Sequence, residues 1–142
     1  MPRSTPKGRQ VEPAALGEVQ ALLGDAPRAR DLLIEHLHRL QDHFGCLHAR
    51  HLVALAHEMK LAMAEVFEVA SFYHHFDIVK EGENAPATVT VRVCDTLSCA
   101  MAGSAQLLAS LRDALGDRVR VITAPCVGRC EQAPVAVVGQ RA

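Results

Sequence analysis

The chain has no tryptophan, one tyrosine and four phenylalanines among 142 residues. Its core must therefore be filled mostly by aliphatic side chains. No apolar run approaches the roughly 18 residues that a membrane helix needs. The first residues, Met1-Pro2-Arg3-Ser4-Thr5-Pro6-Lys7-Gly8-Arg9, are basic and polar, with no apolar signal core after them. A soluble, cytoplasmic protein without direct membrane insertion is expected. Charge of one sign is also missing: 15 Lys and Arg stand against 16 Asp and Glu, a net charge of −1. That leaves no electrostatic case for gripping nucleic acid or an anionic surface. Neither G-x-G-x-x-G nor G-x-x-x-x-G-K-[ST] occurs, so there is no local signature of nucleotide binding. With 49% hydrophobic and 22% charged residues the composition is that of an ordinary globular chain, not a disordered one.

What is present is unevenly distributed. All eight His lie between His36 and His75, and all five aromatics between Phe44 and Phe76. From Ala87 onward there is no His, aromatic or Lys, but there are nine Val and four of the five Cys. The polar stretch Lys80-Glu81-Gly82-Glu83-Asn84-Ala85-Pro86 separates the two compositions and reads as a linker. The expected organisation is a flexible N-terminus over 1–10, a helical bundle over 11–80, a linker over 81–86 and a second domain over 87–142.

The first domain has helical periodicity. Pro13 suits a first turn, and Leu16, Val19, Leu22 and Leu23 follow before Gly24. A segment from about Pro27 carries Leu33, Leu37, Leu40 and Phe44, closed by Gly45. Leu52, Leu55, Ala56 and Met59 continue the pattern, as do Val66, Val69, Ala70 and Tyr73, so three or four short helices are expected. The second domain alternates with period two at Val89, Val91 and Val93, a strand. A helical stripe of Leu107, Leu108, Leu111 and Leu115 follows, then strands at 119–123 and 135–138. Strand, helix, strand implies a parallel pair joined by a crossover. The last strand can form a hairpin only with a further strand beyond Gly139-Gln140.

Five cysteines without a secretory signal point to reduced thiols and to metal or redox chemistry. Cys94-x4-Cys99 and Cys126-x3-Cys130 each follow a predicted strand. If those strands are parallel neighbours, both loops lie at one end of the sheet and four thiolates converge. Zinc knuckles favour C-x2-C, whereas spacings of four and three suit two irons with one pair on each. A [2Fe–2S] cluster, a zinc site in a binding module without redox role, two disulfides and unliganded core thiols are the readings these residues allow. Cys46 is a small core or surface residue, not a ligand. The histidines have no ligand rhythm: His57-Glu58-Met59-Lys60-Leu61 lacks the second His of a zincin motif, and His74 and His75 cannot share one helix face. Phe72 and Phe76, four apart, read as filling the bundle core. Tyr73, His74 and His75 are the candidate partner contacts.

Cys94-Asp-Thr-Leu-Ser-Cys99, then Ala124-Pro-Cys-Val-Gly-Arg-Cys130 and Ala133-Pro134-Val135, together with Glu68-Val-Ala-Ser-Phe-Tyr-His-His-Phe76, resemble the thioredoxin-like [2Fe–2S] ferredoxin family. This is the family of the 24 kDa subunit of respiratory complex I. Within it, Phe76-Asp-Ile-Val-Lys-Glu-Gly-Glu83 and Cys94-Asp-Thr-Leu-Ser-Cys-Ala-Met101 are most similar to the gamma subunit of soluble, molybdenum-containing, NAD-dependent formate dehydrogenases.

The resemblance implies an α+β protein, a helical bundle followed by a thioredoxin-like domain with one [2Fe–2S] cluster on Cys94, Cys99, Cys126 and Cys130. It also implies a non-catalytic electron-transfer subunit of an NAD-dependent formate dehydrogenase. Its partners would be a flavin- and NAD-binding subunit and a larger molybdenum/iron–sulfur catalytic subunit. The equivalent subunit of complex I or of an NAD-linked hydrogenase is the nearest alternative. Reduction makes such a cluster more negative, so Arg129 and the backbone approach allowed by Gly128 are candidate tuning groups. The N–H groups of Thr96 to Ala100 and of Val127 to Arg129 are candidate donors to sulfur. Ala133-Pro134 occupies the place where thioredoxin-like folds often have a cis proline. Family members usually continue past this point into a fourth strand and a helix, where the present sequence reads Gln140-Arg141-Ala142.

Overall fold

A computed structural model describes residues 8–139. The expected flexible stretch 1–10 therefore lies largely outside the described residues. The chain divides into two compact units, Met1–Ala85 and Pro86–Ala142.

The first unit is built on four α-helices: α1 (Pro13–Leu23), α2 (Leu33–Phe44), α3 (Ala49–Met59) and α4 (Met63–Phe72). In α1 the stripe Ala15, Val19, Leu23 recurs every four residues and is buried, as one helical face requires. Pro13 opens the helix where a missing N–H costs nothing. Helix α2 buries Leu33, Leu37 and Leu40 and ends at Gly45 in the left-handed conformation (φ 74°). It begins later than the expected start near Pro27. The reason is side-chain competition for the backbone: Arg28 Nη1 donates to Gly24 O at 2.7 Å and to Ala26 O, and His36 Nε2 donates to Pro27 O at 2.9 Å. Those carbonyls are satisfied without a helix.

Helix α3 is the central element. His51, Leu52, Val53, Ala54, Leu55 and Ala56 are all buried, because neighbours cover it on several sides. Full burial of each such leucine is worth about 1.5–3 kcal/mol. Two short strands, β1 (Leu47–His48) and β2 (Ile78–Val79), pair in parallel beside the helices. Each is two residues long, too short for any alternation to show in the sequence. Phe76 is buried at 7%, but Phe72, expected beside it in the core, is 79% exposed. The four-residue spacing fails because α4 ends at Phe72: Tyr73 is extended (φ −89°, ψ 123°), so Phe76 does not belong to the same helical face.

The second unit has strands β3 (Thr90–Cys94), β4 (Arg120–Ala124) and β5 (Ala136–Val138), with helices α5 (Leu97–Met101) and α6 (Ser104–Leu115) between β3 and β4. The strand order is β4-β3-β5; β3 and β4 are parallel and β5 is antiparallel to β3. The parallel pair is the one the strand–helix–strand pattern implied. Leu107, Leu108, Leu111 and Leu115 of α6 pack on Val91, Val93 and Val121. All five residues of β3 are buried, the polar face with Thr90 and Arg92 included. Val89, which alternation placed with Val91 and Val93, precedes the strand and is 41% exposed. Among the described residues no helix is long and apolar enough to cross a membrane.

A buried histidine paired with an exposed glutamate is expected to make the helical unit acid-sensitive. His51 is fully buried, stacked on Phe44 (ring centroids 4.1 Å apart), with Nε2 2.5 Å from Glu18 Oε2. Its Nδ1 has no partner. A neutral ring donating from Nε2 leaves only a lone pair at Nδ1, whereas protonation would strand an N–H there. Burial accordingly holds the His51 pKa below 6.5, despite Glu18 pulling it up, and Arg50 and His48 add to the depression. Unfolded His51 takes up a proton near its ordinary value, so stability is lost as pH falls below about 6.5. The hydrogen bond from His51 holds the Glu18 carboxyl below its ordinary value, with Arg50 adding to it, and that contribution disappears at still lower pH. We predict that the urea midpoint of the chain falls between pH 7.5 and 5.5, and that His51→Phe shows a shallower fall. Equal slopes for the two proteins would refute the assignment.

Candidate metal centre

The site is set by strand register. Cys94, the last residue of β3, lies level with Ala124, the last residue of β4. Because the strands are parallel, both chains leave the sheet on the same side. Asp95 N–H bonds Ala124 O at 3.1 Å and Cys94 N–H bonds Val135 O at 3.0 Å, which ties three segments together at this end. The first loop turns at once into α5, which carries Cys99 inward. The second passes Cys126 and Gly128 (φ 78°) before Cys130 opens a single 3-10 turn, Cys130–Gln132. The Ala133–Pro134 peptide bond is cis.

The two pairs differ in environment. Cys94 and Cys99 are each 2% exposed and pack with Val135 and Ala133, whereas Cys126 and Cys130 are exposed. Cys126 Sγ and Cys130 Sγ are 3.5 Å apart. Two thiolates on one tetrahedral metal with bonds of about 2.3 Å stand about 3.7 Å apart, so this pair is spaced to share an ion. Among the described residues no three His, Cys, Asp or Glu side chains are gathered as a single metal ion requires. The four cysteines stand as two pairs on neighbouring loops at one end of the sheet.

Each pair has a hydrogen-bond donor on one of its sulfurs, and a polar group acts on the other. Cys94 Sγ lies 3.1 Å from Thr96 Oγ1 and also takes the Thr96 backbone N–H. The Val135 N–H points to Cys99. Gly128 N–H donates to Cys126 Sγ at 3.3 Å, and the Ser98 side chain reaches Cys130. Such donors suit sulfur that carries negative charge, so the donor set fits a thiolate-bound cluster. The thiols also act on one another. The Thr96 hydroxyl draws Cys94 below its ordinary pKa against the effect of burial. The Val135 N–H favours the Cys99 thiolate, but burial and the Cys94 and Cys126 sulfurs outweigh it, and Cys99 is raised. Cys130 is raised by its hydrogen bond to Cys126 and by that sulfur's charge. Holding several of these thiols as thiolates at once would need cations beside them, which is what metal ions supply.

Of the donors foreseen from sequence, the N–H groups of Thr96 and Gly128 are in contact with sulfur. Arg129 is exposed, with Nη1 3.5 Å from Gln132 Oε1. The Thr96 and Ser98 hydroxyls and the Val135 N–H were not foreseen. The hydroxyls sit inside the motif and were legible as polar atoms two and four residues after Cys94, but Val135 is brought in only by β3–β5 pairing. Cys46 belongs to the first unit, where it is fully buried, 3.3 Å from His48 Nε2, with its pKa raised by burial and by Asp77. Tyr73 and His74 are exposed, whereas His75 is half-buried against His38 and Phe76.

Comparison with known proteins agrees with this geometry. The model of the thioredoxin-like [2Fe–2S] ferredoxin family matches residues 19–142. A subunit of the NADH-quinone oxidoreductase of Aquifex aeolicus is 28% identical over 121 residues, covering 79% of this chain and 72% of that protein. The HndA subunit of the NADP-reducing hydrogenase of Solidesulfovibrio fructosivorans is 29% identical over 133 residues, covering 87% and 75%. Among solved structures, an NAD+-reducing [NiFe]-hydrogenase superposes with a TM-score of 0.58 at 26% identity, covering 80% of this chain and 20% of the hydrogenase chain. The chain belongs to the thioredoxin-like [2Fe–2S] ferredoxin family, whose cofactor is one [2Fe–2S] cluster.

Proposed function

We propose that this chain is the electron-transfer subunit of an NAD-linked oxidoreductase complex and holds its cluster on Cys94, Cys99, Cys126 and Cys130. The observation that carries the proposal is the gathering of two cysteine pairs at one sheet end, each pair with a donor on one of its sulfurs. Bound there, the cluster supplies reversible one-electron chemistry. The protein's part is to hold four thiolates, keep two of them dry and aim donors at the sulfurs.

The finer reading is a formate dehydrogenase, supported by the likeness of residues 76–83 and 94–101 to its gamma subunits. The matched relatives, named as subunits of a quinone oxidoreductase and a hydrogenase, support the equivalent subunit of those complexes as the second reading. Identifying the subunits that co-purify with the chain separates the two.

Nicotinamide chemistry moves a hydride, and no nucleotide-binding motif is present here. A flavin converts between hydride and single electrons, so it resides on a partner chain close to the cluster. Leu97 (76% exposed), Met101 (81%) and Val127 lie on the two cysteine loops and supply an apolar rim for such a contact. On the helical unit Tyr73 lines a shallow cavity of about 280 Å³ with Ile34, Val69 and Phe72, and with the exposed His74 it is the second contact region we assign.

Three outcomes test this reading. Ser at any of the four cysteines abolishes or strongly perturbs the visible cluster spectrum, whereas Cys46→Ser leaves it intact; a colourless, zinc-containing wild type ends the proposal. Arg129→Glu lowers the reduction potential, because it puts a negative charge beside a centre that becomes more negative on reduction. The shift shrinks as salt rises, since Arg129 is exposed; an unchanged potential shows that the side chain does not sense the cluster, and a higher one refutes the direction. Finally, the isolated, reconstituted chain does not oxidise NADH with an artificial acceptor. Turnover without partner or flavin would place the nicotinamide site on this chain after all.

A further inference from the structure

Thr96 stands at the N-cap of α5, where a threonine hydroxyl ordinarily accepts a hydrogen bond from the first turn. It makes no such bond. Its Oγ1 lies instead 3.1 Å from the sulfur of Cys94, which is 2% exposed. In the free thiol either atom can donate. Once Cys94 is a metal-bound thiolate its sulfur carries no proton, so the hydroxyl must be the donor. We propose that the Thr96 side chain is a positioning residue for the redox reaction, whose hydroxyl raises the reduction potential by donating to the buried Cys94 sulfur.

The proposal rests on Cys94 being a ligand. Its direction follows from charge. Four thiolates, two sulfides and two ferric ions sum to about −2, and one added electron, without a proton, makes the centre about −3. A donor fixed on the sulfur is therefore bound more strongly in the reduced state. Burial strengthens the effect, because no water competes for this sulfur and the local dielectric is low. The Ser98 hydroxyl, which reaches Cys130, is the internal contrast. Both Ser98 and Cys130 are exposed, so water replaces that donor when it is removed. Thr96 and Arg129 also act differently: one through a short-range dipole in a dry place, the other through a screened charge.

The experiment uses the full chain reconstituted with iron and sulfide. Iron and sulfide content and the visible spectrum of the wild type come first; a wild type without a [2Fe–2S] centre defeats the ligand assignment itself. On loaded proteins, redox titration should give Thr96→Val a lower potential than wild type and return Thr96→Ser to the wild-type value. Ser98→Ala should move the potential less than Thr96→Val does. The Thr96→Val shift should be the same at low and high salt. A Thr96→Val potential equal to wild type overturns the proposal, and so does a Thr96→Ser potential as low as that of Thr96→Val. If Thr96→Val does not load, Thr96→Ala removes the hydroxyl without placing a second methyl group against the sulfur and is read in the same way. Failure of both variants to load, with Thr96→Ser loading normally, would show that the hydroxyl is needed to hold the cluster and would also overturn the proposal.

Discussion

Two parallel strands ending at the same level control the rest of this site. Cys94 and Ala124 are register partners, and the chain leaves both strands in the same direction. An antiparallel pair would send the two cysteine loops to opposite ends of the sheet, and a shift of a few residues would separate the thiols by about 3.3 Å for each one. The crossover through α5 and α6 is what makes a parallel pair attainable from consecutive segments. The leucine stripe of α6 fixes the register by packing on Val91, Val93 and Val121. Core packing and metal chemistry are thus one problem in this unit: the same valines that exclude water set where the sulfurs arrive.

The asymmetry of the two pairs follows from topology. Cys94 belongs to β3, the middle strand, and Cys99 is carried back against Val135, so both are buried. Cys126 and Cys130 lie on a loop beyond β4, an edge strand among the described residues, and are exposed. A redox centre held on these four thiols would have a dry side at Cys94 and Cys99 and a wet side at Cys126 and Cys130. The exposed Leu97 and Met101 stand on α5 with Cys99, and Val127 lies between Cys126 and Cys130, so the apolar rim needs no separate scaffold.

Much of this was legible in the sequence because it rests on local periodicity and spacing. The helix stops at Gly24, Gly45 and Gly116, the leucine stripe of α6, the parallel β3–β4 pair and the placement of both cysteine pairs after strands all follow from neighbours in the chain. What was not legible depends on contacts distant in sequence. The start of α2 is affected by Arg28 and His36 taking the carbonyls of Ala26 and Pro27, which a helix from Pro27 would have used. Phe72 leaves the core because α4 ends there, and nothing in a four-residue spacing records where a helix stops. Strands of two residues carry no alternation. The N–H of Val135 reaches Cys99 only because β5 pairs with β3 from the other side of the sheet.

The composition break has a physical reading as well. Of the buried apolar residues in the second unit, Val91, Val93 and Val121 form the core under α6, while Cys94, Cys99 and Val135 form a separate cluster at the cysteine end. A sheet of three strands with so small an aliphatic core buries little apolar surface to offset the entropy of ordering the chain. Metal-thiolate bonds made only in the folded arrangement add their binding free energy to that balance. The helical unit needs no such help: its core draws on all four helices, from Ala15 to Phe76. A cluster bound there would be structural as well as electronic in its unit. The donors at Cys94 and Cys126 would serve both ends, since a dipole that stabilises a thiolate favours the folded, loaded state as well as a higher potential.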